Sequence, residues 1–399
     1  GCLSGGPTRR DARRFPLAPQ RAGAYAGAMD TPDTFEIFLV CPPGLEDLLC
    51  AEAQEKGFAE AQAQPGGVTV QGGWPEVWRA NLELRGAGRV LARIGGFMAF
   101  HLAQLDKRCR KFPFGDVLRA DVPVKVQVTC KASKIYHAGA AQQRVETALR
   151  ESHGITVDSE AALVLKVRIH DNAVQFSLDT SGEALHKRGH KEAVGKAPMR
   201  ENMAALMLRS CGYVPGEPVV DPMCGSGTFL IEAAEIAAGV KPGRSRSFAF
   251  EDLASFDAGA WEEMLSGGAV AEPAARFYGS DRDAGAIRMS TANAERAGVG
   301  AWCHFACHGA GEVQPPEGPP GLVIVNPPYG GRIGNKKLLY PLYGTLGETL
   351  KTRFRGWRVG LVTSEPPLAR ATGLPWKPQG PAIAHGGMKI WLWQTDVLR

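Results

Sequence analysis

The sequence predicts an α/β protein whose carboxyl-terminal half is a doubly wound, mostly parallel sheet. From Val219 to about residue 365, short apolar runs alternate with helical patterns, which is typical of parallel βαβ units. Residues 382–395 have the pattern of two strands that turn at Gly386-Gly387, so an antiparallel ending is expected on this sheet. Before Ser181-Gly182 the pattern is that of two smaller α+β units.

Length and composition are those of an ordinary globular protein. The 399 residues suffice for two or three domains, and 44% hydrophobic with 22% charged residues is a common balance. No apolar run approaches ~18 residues, so no membrane span is expected. The nine cysteines are scattered, which favours reduced thiols in the cytoplasm over a disulfide framework.

The first 28 residues are rich in Gly, Ala, Pro and Arg and show no apolar periodicity. This composition predicts a disordered extension over residues 1–28, without the continuous apolar core of a secretory signal. Met29 precedes the first structured segment and is a candidate start of translation.

An α+β unit is predicted for residues 29–100. Its order of strand, helix, strand, strand, helix and strand indicates a ferredoxin-like fold. The segments that carry this prediction are strands at Phe35–Val40, 68–70 and 89–94 and helices at 45–56 and 74–84.

Residues 101–182 form a second predicted α+β unit. Its segments are helices at 102–110 and 142–151 and strands at 122–129, 162–170 and 173–179. Between residues 101 and 200 there are 17 Lys and Arg against 11 Asp and Glu, a surplus that suits a polyanionic partner. A basic face that is merely solvated is an equally open interpretation.

A glycine-rich turn follows the first strand of the parallel sheet, in the stretch Val-Val-Asp-Pro-Met-Cys-Gly-Ser-Gly-Thr at 219–228. Glycine lets the backbone approach a ligand where a Cβ would collide. No Lys follows the glycines, which excludes a Walker phosphate loop, and the three-glycine dinucleotide pattern does not match. A tight turn that binds nothing is the alternative. The candidate cofactor-binding residues are Asp221, Met223, Gly225, Gly227 and Thr228.

Two acidic residues follow the next predicted strand. Asp281 stands at the strand end, where a carboxylate can accept hydrogen bonds from ribose hydroxyls. Asp283 is interpreted instead as the N-cap of a helix over residues 284–297.

The most specific signal is Asn326-Pro327-Pro328-Tyr329, which ends the apolar run Leu322–Val325. Two prolines stiffen the backbone and remove two N–H donors. The Asn326 amide oxygen and the Pro327 carbonyl can therefore both accept hydrogen bonds from one –NH2 group. Tyr329 can stack on the base that carries this group, an interaction of about 1–3 kcal/mol. A rigid turn alone would explain the prolines but not the joint choice of Asn and an aromatic residue.

With these motifs the chain resembles the Rossmann-like class I methyltransferases that act on exocyclic amines, which carry an Asn-Pro-Pro-Tyr/Phe loop. Among them it resembles the THUMP-domain RNA methyltransferases, and most closely the bacterial family that makes N2-methylguanine in large-subunit rRNA. The resemblance covers about residues 33–395. It rests further on residues 130–137 (Cys-Lys-Ala-Ser-Lys-Ile-Tyr-His), 185–190 (Leu-His-Lys-Arg-Gly-His) and 197–202 (Ala-Pro-Met-Arg-Glu-Asn).

The resemblance implies S-adenosylmethionine as the cofactor and RNA as the partner. Direct in-line methyl transfer is our hypothesis for the mechanism. It implies a THUMP-like RNA-binding domain at 101–182 and a class I methyltransferase domain at 183–399. Asn326, Pro327 and Tyr329 are then the catalytic residues, with Asn326 also next to the cofactor. The implied RNA-binding residues are Lys131, Lys134, Tyr136, His137, Lys187 and Arg188.

One departure concerns the adenine of the cofactor. Gly309 stands where these enzymes usually carry an Asp that contacts adenine, so the backbone, His308 or apolar contacts are expected to hold it. The same segment contains Cys303, His304, Cys307 and His308. Adjacent residues of one strand face opposite sides of the sheet, so no metal site is expected there.

Other functions stay open at this point. Within enzymes, the runner-up is a tRNA guanine-N2 methyltransferase, and a DNA adenine methyltransferase ranks below it. A non-catalytic RNA-binding or ribosome-assembly factor is an alternative from a different class. It stays open because Gly309 replaces the Asp that usually contacts the cofactor.

Overall fold

The computed structural model of this chain describes residues 33–192, 198–330 and 336–399. The expectations for residues 1–28 and Met29, and the Ala197 of the third resembling stretch, lie outside the described residues. The described part is built on two seven-stranded sheets, one in each half of the chain.

The amino-terminal half contains seven strands and four helices within its described residues. They are β1 (Phe35–Val40), α1 (Glu46–Glu55), β2 (Ala59–Gln64), β3 (Gly67–Gly72), α2 (Trp74–Glu83), β4 (Arg89–Met98), α3 (Leu102–Lys111), β5 (Val124–Lys131), α4 (Ala138–His153), β6 (Leu163–His170) and β7 (Ala173–Asp179). The strand order is β2-β3-β1-β4-β7-β6-β5. β5 and β6 run parallel, and the other neighbours run antiparallel.

Alternating burial explains why most of these strands were predictable. Along β1, Ile37 and Leu39 are fully buried while the residues between them are partly exposed. β2 completes the ferredoxin-like order, but no segment was assigned to it from the sequence. Its residues Ala-Glu-Ala-Gln-Ala-Gln have low strand propensity, so this strand depends on its pairing with β3.

The two α+β units predicted on either side of residue 100 share this one sheet. β4 pairs with β7 from Leu91 opposite Asp179 to Met98 opposite Ala173. The ferredoxin-like part and the predicted RNA-binding part are therefore joined by one ladder of paired residues, whose register shifts between Arg93 and Gly95.

The carboxyl-terminal half contains the second sheet. Its described elements are α5 (Glu201–Ser210), β8 (Val219–Asp221), α6 (Thr228–Ala238), α7 (Ala258–Ser266), β9 (Phe277–Asp281), α8 (Ala284–Arg296), β10 (Cys303–Cys307), β11 (Leu322–Val325), α9 (Leu339–Arg353), β12 (Arg358–Thr363), α10 (Pro366–Ala371), β13 (Ile383–His385) and β14 (Met388–Gln394). The order is β10-β9-β8-β11-β12-β14-β13. The first five strands are parallel and β14 runs antiparallel to β12, so the predicted fold class is confirmed.

The predicted turn between the last two strands is also confirmed. Gly386 and Gly387 have φ values of +55° and +80°, and His385 pairs with Met388 across them. Positive φ at both central residues is the geometry of a two-residue hairpin turn that side chains with a Cβ rarely adopt.

The direction in which the second sheet is wound reverses between β8 and β11. From β8 the chain passes to β9 and β10 on one side, and then returns to β11 on the other side of β8. Val219 lies opposite Leu322 and Val220 opposite Val323. The loops after β8 and β11 therefore leave the same edge side by side, which is where ligands bind in doubly wound sheets.

Buried ion pairs join the two halves. The Arg85 guanidinium, which follows α2, lies 3.0 Å from Glu232 and 3.0 Å from Glu235, both on α6. Arg188 lies 3.1 Å from Glu232 and donates to the Arg85 carbonyl over 2.9 Å. Since α6 begins at the glycine turn, these contacts fix the amino-terminal sheet relative to that turn. Among the described residues, no helix is long and apolar enough to cross a membrane.

Candidate active site

The glycine turn connects β8 to α6 in a conformation that depends on its two glycines. Gly225 and Gly227 have φ values of +52° and +83°. A Cβ on Gly227 would lie 3.0 Å from the Ser290 Cβ, whereas a Cβ on Gly225 would meet nothing within 4 Å. Gly225 therefore faces open space at the carboxyl edge of the sheet, and a ligand can approach its backbone closely.

Asp221 lies beneath this turn. Its side chain is 2% exposed and accepts a hydrogen bond from the Met223 N–H over 3.1 Å. Burial raises the pKa of Asp221 to about 8, and the nearby Asp281 charge adds to the rise, while the Met223 N–H opposes it. The observed role of Asp221 is to hold the turn; its contact with a cofactor stays a prediction, as does that of Met223.

Asp281 links the two loops at this edge. Its Oδ2 accepts from the Gly225 N–H over 3.1 Å and its Oδ1 accepts from the Asp283 N–H over 3.0 Å. Asp283 is the N-cap of α8 and accepts from the Gly285 N–H over 2.8 Å, which confirms its predicted role. The Asp281 carboxylate thus stands beside the glycine turn, and its contact with a ribose stays a prediction.

The Asn-Pro-Pro-Tyr corner follows β11, whose four residues are fully buried. The Asn326 amide oxygen is buried and accepts no hydrogen bond from any described residue. The Tyr343 hydroxyl, on α9, donates to the Pro328 carbonyl over 3.0 Å and so holds the corner in place. A buried oxygen without a donor is uncommon in folded proteins, and a bound polar group is one of its explanations.

Tyr329 is only 5% exposed and packs into the hydrophobic core. Its ring is therefore covered in this structure, and its stacking on a base stays a prediction. Pro327 beside it is buried as well. The corner is thus a rigid, largely desolvated element, which is the environment in which a hydrogen bond to a polar ligand is strongest.

Sequence reasoning missed a second group of residues at the start of α6. The Lys191 ammonium donates to the Thr228 hydroxyl over 2.9 Å and lies 2.9 Å from the Glu201 carboxylate. Thr228, a predicted cofactor-binding residue, is buried and also lies 3.3 Å from the Ser226 hydroxyl. The only signal for this group was that Lys191 directly follows the resembling stretch at 185–190.

Gly309 and its neighbours lie at the end of β10. The Gly309 N–H donates to the Glu312 carboxylate over 2.8 Å, and the His308 N–H donates to the Asp281 carbonyl over 3.1 Å. A cavity of about 160 Å³ lies next to these residues and is lined partly by Tyr278, His304 and His308. Within the described part of the chain, no three His, Cys, Asp or Glu side chains are grouped as a metal site.

Four of the predicted RNA-binding residues lie together between β5 and α4. Lys131, Lys134, Tyr136 and His137 are all exposed, and Tyr136 is 83% exposed. The Lys134 ammonium lies 5.5 Å from the ring centre of Phe100, which is itself 40% exposed. The His137 ring accepts from the Ala140 N–H over 2.9 Å and caps α4. We call Phe100, Lys131, Lys134, Tyr136 and His137 the aromatic–basic patch.

The other two predicted RNA-binding residues differ sharply from each other. Lys187 is exposed and pairs with Glu183 over 3.0 Å. Arg188 is 2% exposed, and its guanidinium binds Glu232 and the carbonyls of Leu185 and Arg85. RNA cannot reach that guanidinium, so the prediction that Arg188 contacts RNA is wrong; the residue joins the two halves of the protein.

Comparison with known proteins agrees with this architecture. Residues 36–91 match the RlmL ferredoxin-like domain, and residues 188–377 match the RMKL-like methyltransferase domain. The Synechocystis sp. protein slr0064, whose name is that of an RNA methyltransferase, is 31% identical over 371 residues, which is 90% of this chain and 96% of slr0064.

Solved structures resemble the whole described chain. A methylase from Clostridium difficile 630 is 28% identical with a TM-score of 0.79, over 92% of this chain and 99% of that protein. SMU.472, a methyltransferase crystallised with S-adenosylhomocysteine, is 25% identical with a TM-score of 0.80, over 92% of this chain and 99% of that one. TrmN from Thermus thermophilus shares the fold at 21% identity and a TM-score of 0.72, over 91% of this chain and 99% of TrmN. With its ferredoxin-like and methyltransferase domains and its full-length likeness to slr0064, the chain belongs to the RlmL- and RMKL-like family of RNA methyltransferases.

Proposed function

We propose that this protein transfers a methyl group from S-adenosylmethionine to an exocyclic amine of an RNA base, namely guanine N2 in large-subunit rRNA. The observation that carries the proposal is the Asn326 amide oxygen, which is buried and has no donor among the described residues. An unpaired buried acceptor costs about 1–3 kcal/mol, and an –NH2 group of a bound base would remove this cost. The free energy released on pairing then favours the bound amine.

The carboxyl edge of the second sheet fits the cofactor. Gly225 leaves room for a close approach, and the Asp281 carboxylate beside it retains lone pairs for ribose hydroxyls. SMU.472, which has the same fold over nearly its whole length, was crystallised with S-adenosylhomocysteine, the product form of this cofactor. When bound, S-adenosylmethionine supplies an electrophilic methyl group on a sulfonium centre.

The residues of this chain would act by orientation and electrostatics. Asn326 and the Pro327 carbonyl accept hydrogen bonds from the amine and point its lone pair at the incoming methyl group. Positive charge develops on the nitrogen during attack, and the same two oxygens stabilise it until a proton leaves to water. A cysteine nucleophile has no part in this route. Cys224, in the glycine turn, is 6% exposed, and burial raises the pKa of its thiol.

The adenine ring would be held without the acidic residue that Gly309 replaces. The cavity beside Asp281 is lined by the rings of Tyr278 and His304, which stack at 5.4 Å, and by His308. Aromatic rings and backbone groups can hold an adenine by stacking and hydrogen bonds. A glycine at position 309 is therefore compatible with cofactor binding. The absence of an acidic residue there was the main argument for a non-catalytic RNA-binding protein, and it no longer favours that alternative.

The target base must be unstacked to reach the Asn326 corner, because the exocyclic amine of a paired guanine is engaged or hidden. The aromatic–basic patch would hold the surrounding RNA, since exposed rings stack on bases and Lys side chains contact phosphates. The resemblance of the sequence to the family that methylates large-subunit rRNA favours rRNA as the source of this RNA. A tRNA substrate is the alternative outcome of the experiment.

The experiment is methylation of separated RNA pools with isotope-labelled S-adenosylmethionine. Large-subunit rRNA, small-subunit rRNA and tRNA would be prepared from cells that lack this protein, and labelled nucleosides would be identified by mass spectrometry. We expect N2-methylguanosine at one position of large-subunit rRNA. Label confined to tRNA would correct the substrate, label in adenine would correct the base, and the absence of label in all pools with intact cofactor binding would overturn the proposal.

A further inference from the structure

One face of the amino-terminal sheet is open along β5, β6 and β7. The opposite face is covered: the ring centre of Phe114, between α3 and β5, lies 4.9 Å from that of Phe176 on β7 and 5.3 Å from that of His153 on α4. Successive side chains of a strand point to opposite faces, so the residues that alternate with this covered set point away from the helices. We call this side the open sheet face; the residues that matter below are Lys125, Gln127, Lys131, Lys166, Arg168 and Gln175.

The strand register brings the cationic side chains of this face together. In the parallel pair of β5 and β6, the residue opposite Lys125 is two positions before Lys166, and the residue opposite Lys131 is two positions after Arg168. Both couples are therefore diagonal neighbours at about 8 Å, from a strand separation of about 4.8 Å and a rise of about 3.3 Å per residue. Since Lys166 and Arg168 are two residues apart on one strand, the four cations form one continuous row.

The cations of this row lack acidic partners. Among the described residues, the side chains of Lys125, Lys166 and Arg168 form neither a hydrogen bond nor an ion pair. On β5, β6 and β7, the acidic side chain that points to this face is Asp179, and it already pairs with Arg89 over 2.7 Å. Neighbouring like charges repel each other, and an anion bound between them would relieve this repulsion.

The helical side of the same sheet carries charges of both signs. Arg110 on α3 lies 3.0 Å from Asp106 and 2.9 Å from Glu151, and the Arg150–Glu146 pair on α4 measures 3.8 Å. Charges of mixed sign are common on a solvated surface, whereas a row of unmatched positive charges attracts a polyanion. The open sheet face is therefore a better candidate than the helical side for contact with a polyanion.

The side chains beside the cations indicate which form of RNA fits this face. On β5, β6 and β7, all of whose residues the structure describes, the open sheet face carries no Phe, Tyr or Trp. Single strands are commonly bound by stacking on aromatic rings, whereas duplex RNA is bound through its phosphates and 2′-hydroxyls. Gln127 and Gln175 can donate to and accept from such hydroxyls. The aromatic–basic patch, which shares Lys131 with this face, supplies the rings that a single strand needs.

We propose that the open sheet face binds the sugar–phosphate backbone of an RNA duplex that adjoins the unpaired target nucleotide. Lys125, Lys166 and Arg168 each contact a phosphate of this duplex. Phosphate contacts carry no sequence information, so the face positions the RNA and leaves the choice of base to the Asn326 corner. This inference deepens the proposed function and rests on it, because it needs a folded RNA as the substrate.

The test is the salt dependence of binding to a synthetic RNA duplex of about 16 base pairs, the span of a known duplex-binding domain. The sheet-face variant combines Lys125→Gln, Lys166→Gln and Arg168→Gln, and fluorescence anisotropy gives its dissociation constant at several KCl concentrations. Each lost phosphate contact should reduce the slope of log affinity against log salt by about 1, so the slope should fall by about 3. Arg168→Gln alone, with one exposed side chain changed, should reduce it by about 1.

The matched control combines Lys107→Gln, Lys111→Gln and Arg144→Gln, which remove the same three charges from α3 and α4. These side chains are exposed and form no ion pair with any described residue. Charges farther away than the Debye length, about 10 Å at 0.1 M salt, are largely screened, so the control should bind the duplex as the wild type does. Equal losses in both triple variants would show an effect of net charge alone and would overturn the inference, as would a wild-type slope in the sheet-face variant.

A single-stranded RNA of the same length identifies the occupant. The sheet-face variant should bind it nearly as the wild type does, and a loss confined to the single strand would overturn the duplex assignment. Melting temperatures that match the wild type show that the variants fold. If the wild type methylates none of the RNA pools, the proposed function fails and this inference with it. If the wild type methylates RNA and the sheet-face variant binds the duplex normally, only this inference fails.

Discussion

The Asp281 carboxylate accepts a hydrogen bond from the Gly225 backbone N–H over 3.1 Å, and this contact joins the ends of two neighbouring strands. Its other oxygen accepts from the Asp283 N–H over 3.0 Å. Asp281 therefore shapes the glycine turn in addition to its expected contact with the ribose. The structural role is observed in these two hydrogen bonds, and the binding role stays a prediction.

Replacing Asp281 by Asn should lower cofactor affinity. The amide offers one acceptor oxygen where the carboxylate offers two, so either Gly225 or Asp283 loses its partner. We expect a loss of about 1–3 kcal/mol, which is roughly 5- to 150-fold in the dissociation constant of S-adenosylhomocysteine measured by titration calorimetry. Asp283→Asn is the matched control, since Asn serves equally well as an N-cap. Equal affinities of wild type and Asp281→Asn would contradict this role.

The buried Arg188–Glu232 pair should be important for stability. Burial acts to raise the pKa of Glu232, but the Arg188 and Arg85 guanidinium groups outweigh it and hold that pKa below its ordinary value. Arg188→Ala removes one partner from a buried ion pair, which typically costs about 3–5 kcal/mol of unfolding free energy. Urea denaturation measures this loss.

Lys187→Ala is the control for that measurement. Lys187 is adjacent in sequence, but its pair with Glu183 is exposed to solvent, with 58% and 71% of the two side chains accessible. Its removal should change the unfolding free energy by less than about 0.5 kcal/mol. Similar effects of the two substitutions would show that burial of Arg188 does not stabilise the junction between the halves.

Asp221 should make the protein less stable as the pH rises. Its pKa is raised to about 8 from an ordinary value of 3.8, so the folded state binds a proton that the unfolded state releases between these values. The stabilisation is complete below pH 3.8 and is lost as the pH rises through about 8. Asp221→Asn does not titrate and retains an oxygen that can accept from the Met223 N–H.

Between pH 5 and pH 7, the unfolding free energy of Asp221→Asn minus that of the wild type should therefore increase by about 1.4 kcal/mol for each unit that the pH rises. Urea denaturation at pH 5, 6 and 7 measures this difference. Parallel pH profiles for the two proteins would mean that Asp221 is ionised in the folded state throughout this range.

Tyr136 in the aromatic–basic patch should contribute to RNA binding without affecting stability, because it is 83% exposed. Tyr136→Ala should raise the KM for RNA by roughly 5- to 150-fold through the loss of a base stack, with kcat unchanged at saturating RNA. Tyr136→Phe should behave as the wild type. A fall in kcat with an unchanged KM would place Tyr136 outside RNA binding.

Much of the fold could be predicted because it is encoded locally. Three elements are each determined by a few adjacent residues: the apolar run Leu322–Val325, the glycine turn before α6 and the Gly386-Gly387 hairpin. The Asn326 corner was predictable for the same reason, since its two prolines and its acceptor oxygens lie next to one another in sequence.

What sequence reasoning missed depends on partners that are distant in the chain. The family resemblance assigned Arg188 to RNA, but its carboxylate partner is 44 residues away on α6. The polar strand β2 forms only through its pairing with β3, and Lys191 reaches Thr228 across 37 residues. Charge and propensity describe a single residue, whereas burial and pairing are properties of the folded chain.

The most direct test of the account is Asn326→Ala, measured in single-turnover methylation and in cofactor binding. The substitution removes the unpaired buried oxygen, so it should leave the melting temperature unchanged. The S-adenosylmethionine dissociation constant should stay within about twofold of the wild-type value. The rate of methyl transfer should fall by at least roughly 100- to 1000-fold, the effect of removing one group that stabilises a transition state. A variant that transfers the methyl group at the wild-type rate would contradict the account.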